Sequence, residues 1–338
     1  MQHRYSRTPH LQAAICKLQS LYDPLSSAFV PLVDGLARHR IICRGATQHE
    51  ARIGGITINY YQRLLWGPPA PHTPWRRNMP MLLIHGIGDS ALTWALVLRR
   101  LALGHDVYAL DLPGHGLSGL PPGRRYATLD EHTATVVGFV RQVIGRPALL
   151  VGNSLGGMLA VRAAWCAPEL IRGLVLLNPG GAPLQGRAAY DAFFAKIADP
   201  RLRTAYRVGG ELFGAVPRPL LLLILRSLQH MFQRPVILEA YRASDDRVLL
   251  TAEQLRRLPV PAALIWGLRD RFLPEGSLAF FDEHLPGAPK LLLPRCGHLP
   301  QRECPLSVVR FVRAFASSLD TRHPGGGAEA MPSRPFAS

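Results

Sequence analysis

The stretch Ala148-Leu149-Leu150-Val151-Gly152-Asn153-Ser154-Leu155-Gly156-Gly157 decides the fold. Four apolar residues read as a buried strand, and Met158 to Trp165 reads as a helix. The serine stands at the turn between them. Such a turn is tight enough to demand small residues on either side of the serine, and it pushes the Ser154 hydroxyl out beyond the end of the strand. The N-terminus of the following helix then aims backbone N–H groups at any negative charge that develops there. The spacing predicts a nucleophile on a strand-to-helix elbow.

Outward from Ser154, short apolar runs recur at Met81–Ile84, Val107–Leu110, Leu174–Leu177, Ala262–Trp266 and Lys290–Leu293. Helix-like segments such as Asp130 to Ile144 lie between most of them. Buried apolar strands joined by helical crossovers predict an α/β fold with a mainly parallel sheet. Ahead of these, Ala51–Ile53 and Ile56–Tyr61 flank Gly54–Gly55 and predict a hairpin. The alternation stops between Ala182 and about Leu258, where helical periodicity predicts an insertion at 183–258 within a core of 46–182 and 259–320. Residues 1–45 read as an extension. In it Leu11, Ile15, Leu18 and Tyr22 mark one short amphipathic helix ended by Pro24. The Gly/Pro/Ser-rich tail, 321–338, predicts disorder.

A serine hydroxyl needs a base and an orienting acid to become a nucleophile. His298 follows the strand Lys290–Leu293, and Asp270 follows the strand Ala262–Trp266. The other position where an acid could stand, after Leu174–Leu177, holds Asn178, which carries no charge. The chain order Ser154, Asp270, His298 is that of α/β-hydrolases. Backbone N–H groups of Leu155 and Ile87 are the candidates for holding an oxyanion. His85 and the turn Asp111-Leu112-Pro113-Gly114-His115-Gly116 read as structural. In the insertion, the apolar run Pro219–Leu225 is bracketed by Arg218 and Arg226 and is too short to span a bilayer. Leu222 and Leu223, with Phe213, Met231 or Phe232, are candidates for lining an acyl channel.

Composition narrows the alternatives. The chain has 338 residues and a net charge of +16, yet 36 of its 39 basic residues are arginines scattered in ones and twos. No basic run of the kind that tracks a nucleic-acid backbone is present, and a nucleic-acid partner is not expected. Contact with an anionic lipid surface remains compatible. Five cysteines without a C-x-x-C pair argue against a disulfide framework and a thiolate zinc site. No metal or cofactor is called for. Arg4, Arg7 and Lys17 interrupt any secretory h-region, so a reducing cytoplasmic location is expected, with peripheral membrane contact as a variant.

His85-Gly86, the 111–116 turn, the elbow, Asp270 with Pro274, and Gly297-His298 together resemble the α/β-hydrolase superfamily over about residues 48–318. That resemblance implies an eight-stranded sheet with a helical cap after the sixth strand. Gly-Asn-Ser-Leu-Gly-Gly with Asp89-Ser90 is similar to bacterial lipases and carboxylesterases. Trp266-Gly267, Asp270-Arg271-Phe272-Leu273-Pro274 and Cys296-Gly297-His298 are also similar to meta-cleavage hydrolases, which cut carbon–carbon bonds. The chain departs from those at Asp89-Ser90 and at Leu299, where they carry Trp. Epoxide hydrolases and dehalogenases need Asp where Ser154 stands. The expected function is hydrolysis of a small apolar carboxylic ester through an acyl-enzyme. Carbon–carbon hydrolysis by the same triad, and a basic membrane-associated binding protein with a vestigial triad, are the alternatives.

Overall fold

The computed structural model describes residues 32, 34–64, 79–184, 201–217, 234–244 and 249–320, with isolated positions between 185 and 233. Eight strands form one sheet: β1 (Thr47–Ile53), β2 (Ile56–Arg63), β3 (Met81–Ile84), β4 (Val107–Leu110), β5 (Ala148–Asn153), β6 (Ile171–Leu177), β7 (Ala262–Gly267) and β8 (Lys290–Leu293). Their spatial order is β1-β2-β4-β3-β5-β6-β7-β8. β1 and β2 form the expected hairpin, with Ile53 opposite Ile56, and β2 runs antiparallel to β4. The remaining pairs are parallel.

The apolar runs are strands because both faces of the sheet are covered, so successive residues on opposite faces must all be apolar. Leu82, Ile84, Leu150, Leu174, Leu176 and Leu264 enter one core with α1 (Leu129–Phe139), α2 (Leu155–Cys166) and residues of α5 (Ser277–His284). Met81, Leu83, Leu149, Val151, Val175 and Ile265 enter the other, with α6 (Pro305–Asp320) and Trp94. α1 starts where it does because Thr128 and Glu131 cap each other's backbone N–H groups.

Between β6 and β7 the described residues form α3 (Leu202–Leu212), α4 (Pro235–Arg242) and a short helix at Ala252–Arg256. Phe194, Val208, Leu212, Phe213, Leu221, Phe232 and Ile237 gather there with Phe272 and Leu299 in a third apolar cluster. A helix also covers 34–42, packing Ile41 on the second core. The periodicity at Leu11–Tyr22 and the tail from 321 lie outside the described residues. Among the described residues, no helix is long and apolar enough to cross a membrane.

One expectation is corrected. Cys296 and Cys304 are joined in a disulfide, with Cα atoms 6.5 Å apart. The short helix Pro300–Glu303 turns the chain back on itself and brings together two cysteines whose spacing carries no pairing signal. Cys43 and Cys166 are free and exposed.

Candidate active site

The loops that follow β3, β5, β6, β7 and β8 converge at the carboxyl edge of the sheet, where parallel α/β folds place their ligands. Ser154 stands on the loop after β5, with φ 56° and ψ −118°. Such left-handed backbone costs a side-chain-bearing residue about 1–3 kcal/mol and persists only when its surroundings over-determine it. Here they do. The Ser154 N–H donates to Leu177 O, and the Ser154 carbonyl accepts from the N–H groups of Gly157, Met158 and Gly180, all at 3.0–3.1 Å. A Cβ on Gly156 would lie 2.2 Å from the Ile84 carbonyl oxygen, so only glycine lets the helix start this close to β3.

His298 and Asp270 meet across the loops that follow β8 and β7. The His298 Nδ1–H donates to Asp270 Oδ2 at 2.8 Å, and both side chains are almost wholly buried. Asp270 Oδ1 accepts from the N–H groups of Phe272 (2.8 Å) and Leu273 (3.2 Å). Burial pushes the Asp270 carboxyl up. The His298 charge and hydrogen bond and the two backbone N–H groups outweigh that push, leaving its pKa below the ordinary carboxylate value. An ionised carboxylate therefore holds Nδ1 protonated and leaves Nε2 as the ring's free base. The Phe272 ring packs on the imidazole at 4.6 Å between centroids.

The 85–90 loop lies against the elbow. A Cβ on Gly86 would come within 3.1 Å of Ser154 Cβ, so glycine lets this loop close on the elbow. His85 is buried, with Nδ1 on the Gly86 carbonyl (2.7 Å) and Nε2 accepting the Leu112 N–H (3.0 Å). Both nitrogens are engaged, as the structural reading of His85 requires. Leu155 is the first residue of α2, so its N–H has no partner within the helix. Ile87, Leu155 and Ser154 together line a cavity of about 650 Å³. Asp111 holds the neighbouring turns, accepting from Asn59 Nδ2, Leu117 N and Ala91 N.

Three of these side chains carried no signal in the sequence beyond their residue type. Asn178, at φ 39°, donates from Nδ2 to Asp270 Oδ2 at 2.6 Å and accepts the Gly267 N–H at 3.0 Å. The position set aside for want of charge thus touches the acid itself. Asn153 donates to the His298 carbonyl at 3.0 Å, which ties the elbow to the histidine loop. Glu303 accepts the N–H groups of Gly214 (2.9 Å), Ala215 (2.6 Å) and Gly297 (2.9 Å). Burial raises its pKa against those three hydrogen bonds, with the Asp270 charge adding to the rise. His298 N also donates to Leu212 O at 2.7 Å, and Arg271 N to Glu211 O at 3.1 Å. The end of α3 is therefore strapped to the loops bearing Asp270 and His298.

The channel residues are placed differently from expectation. Phe213 and Phe232 are buried in the third apolar cluster and do not line the cavity at Ser154; its apolar wall comes from Ile87, Leu155, Met158, Phe194, Val236 and Phe272. Side chains of an inserted helix can turn toward the core or toward the cavity, and hydrophobicity does not distinguish the two. Leu222, Leu223 and Met231 lie outside the described residues.

Residues 81–311 match the model of the alpha/beta hydrolase family, and the chain belongs to that family. It is 26% identical over 259 residues to the pimeloyl-[acyl-carrier protein] methyl ester esterase of Aeromonas salmonicida, covering 70% of this chain and 94% of that one. Its fold is similar to a bacterial membrane phospholipase A described as a virulence factor (TM-score 0.69, 22% identity, 93% and 99% of the two chains). It is similar also to the 2-hydroxy-6-oxo-6-phenylhexa-2,4-dienoate hydrolase of a Rhodococcus strain (TM-score 0.66, 22% identity, 80% and 99%).

Proposed function

We propose that this chain is a serine hydrolase that cleaves carboxylic esters through an acyl-enzyme. The observation that carries the reading is the strained backbone of Ser154, held by four hydrogen bonds at the head of α2, on an elbow that Asn153 ties to the loop of the Asp270-paired His298. His298 Nε2 takes the Ser154 proton as Oγ attacks the acyl carbon. The Ile87 and Leu155 N–H groups receive the oxyanion. The proton then passes to the leaving alkoxide, and the same nitrogen activates water for deacylation, with Asp270 keeping the ring oriented throughout.

The esterase named among the relatives supports an ester over other acyl bonds, and the apolar wall of the cavity favours an apolar acyl group. α4, whose Val236, Ile237, Ala240 and Tyr241 line the cavity, acts as a cap over it. The helix over 34–42 is the face offered to a lipid surface. There Leu36 and Ile42 are exposed, and Arg44 has its pKa lowered by the neighbouring charge of Arg40, then by burial, Arg99 and Arg100. Ser154→Ala should reduce turnover of 4-nitrophenyl butyrate by roughly 10⁴-fold or more and abolish labelling by a fluorophosphonate probe. Near-full activity in that variant would remove Ser154 from the reaction.

A further inference from the structure

One face of α2 runs along the cavity. Ser154 precedes the helix, and Leu155, Met158 and Arg162 line the wall at spacings of three and four residues, the repeat that keeps side chains on one helix face. Eight residues separate Ser154 from Arg162, which is about 12 Å of helix axis. The wall is apolar at Leu155 and Met158 and ends in a guanidinium.

The cavity is polar in other ways too. Thr128, Asp130, His115 and His132 also line it. Among the described residues, the buried His115 Nε2 and His132 Nδ1 have no hydrogen-bond partner. Burial holds both imidazoles neutral, His132 with its pKa lowered to about 3, so the cationic group on this wall is Arg162. Its Nη2 pairs with Asp130 at 2.6 Å, and its Nε donates to Thr133 Oγ1 at 3.3 Å. Asp130 is 87% exposed, against 21% for Arg162. An ion pair with one partner in water is worth about 1 kcal/mol or less. A ligand anion arriving through the cavity can take its place.

We propose, building on the ester-hydrolase reading, that the preferred acyl group is a medium-length chain ending in a carboxylate, and that Arg162 is its receptor. The acyl arm becomes bonded to Ser154 as the alcohol departs and stays there until water releases it. The wall continuous with Ser154 is therefore assigned to the acyl arm. The methylenes lie over Leu155 and Met158, and the terminal carboxylate reaches the guanidinium, displacing Asp130 into solvent. Arg162 binds and orients; it takes no part in bond breaking.

The test compares three 4-nitrophenyl esters on the full chain: octanoate, suberate with a free terminal carboxylate, and suberate with that carboxylate methylated. Charge-assisted hydrogen bonds of this kind correspond to a preference of roughly 10- to 100-fold. The free-acid suberate should exceed its methylated form by that factor in kcat/KM, chiefly through KM. In Arg162→Gln the ratio should fall to about one. In Asp130→Asn, which frees the guanidinium, it should rise. A wild-type ratio near one, or a ratio that survives Arg162→Gln, overturns the proposal. Failure of the ester-hydrolase reading is distinguishable, because then none of the three esters would depend on Ser154.

Discussion

Replacing Asp270 by Asn changes one oxygen into an NH₂ group and nothing in size, yet the surroundings leave the amide no good orientation. Oδ2 receives His298 Nδ1–H and Asn178 Nδ2–H, and Oδ1 receives the Phe272 and Leu273 N–H groups. If the amide oxygen faces the backbone pair, its NH₂ meets two donors. Asn178 cannot flip to accommodate it without losing the Gly267 N–H. His298 must then present a lone pair on Nδ1, which puts the proton on Nε2, where the proposed reaction needs a base. A wrong tautomer of this sort lowers turnover about 10⁴-fold, or about 5 kcal/mol at 1.36 kcal/mol per decade. Initial rates on 4-nitrophenyl butyrate at neutral pH, with circular dichroism to confirm folding, give the answer. The double variant Asp270→Asn/Asn178→Asp, which moves the charge one hydrogen bond away, should recover part of the loss. A folded Asp270→Asn enzyme within tenfold of wild type would refute the argument.

Two further outcomes are expected. His132 is held neutral, with its pKa falling from 6.5 to about 3 on folding, mainly through burial and then the His85 charge. The unfolded chain therefore binds the extra proton below pH 6.5, and stability drains away as pH falls from 6.5 toward 3, by about 2 kcal/mol at pH 5. His132→Leu should flatten the slope of denaturant stability against pH by about 1.4 kcal/mol per unit in that window; an unchanged slope would mean another group supplies it. Glu303→Ala leaves three N–H groups without their acceptor, at about 1–3 kcal/mol each. It should lower both the melting temperature and kcat, with KM less affected. Unchanged kcat in a destabilised variant would separate the clamp from the base.

Features set by near neighbours in the chain were legible. Parallel strands buried on both faces announce themselves as apolar runs, so Met81–Ile84, Val107–Leu110 and Lys290–Leu293 coincide with strands residue for residue. The elbow is legible because its glycines answer to local crowding, and chain order places the loops of Asp270 and His298 at one sheet edge. What was hidden depends on residues far apart. Asn178 reaches Asp270 across 92 positions and Glu303 reaches Gly214 across 89, and no local pattern marks an amide or a carboxylate for such a task. The Cys296–Cys304 pairing depends on a four-residue turn of helix. Phe213 and Phe232 are buried in the third apolar cluster, and an apolar side chain satisfies a core and a cavity wall equally, so the sequence does not separate the two.

The strap between the end of α3 and the loops of Asp270 and His298 bears on how this enzyme can be rebuilt. Inserted segments are commonly treated as interchangeable parts, cut at the strand ends and swapped to change selectivity. Here the seam does not follow the chain. Glu303, downstream of β8, grips Gly214 and Ala215 between β6 and β7, and Leu212 O holds the His298 backbone. A graft made at 183 and 258 would import a foreign helix end and leave the histidine loop without its brace. A graft that keeps α3 and its clamp in the host and begins beyond Ala215 would leave the brace on the histidine loop intact.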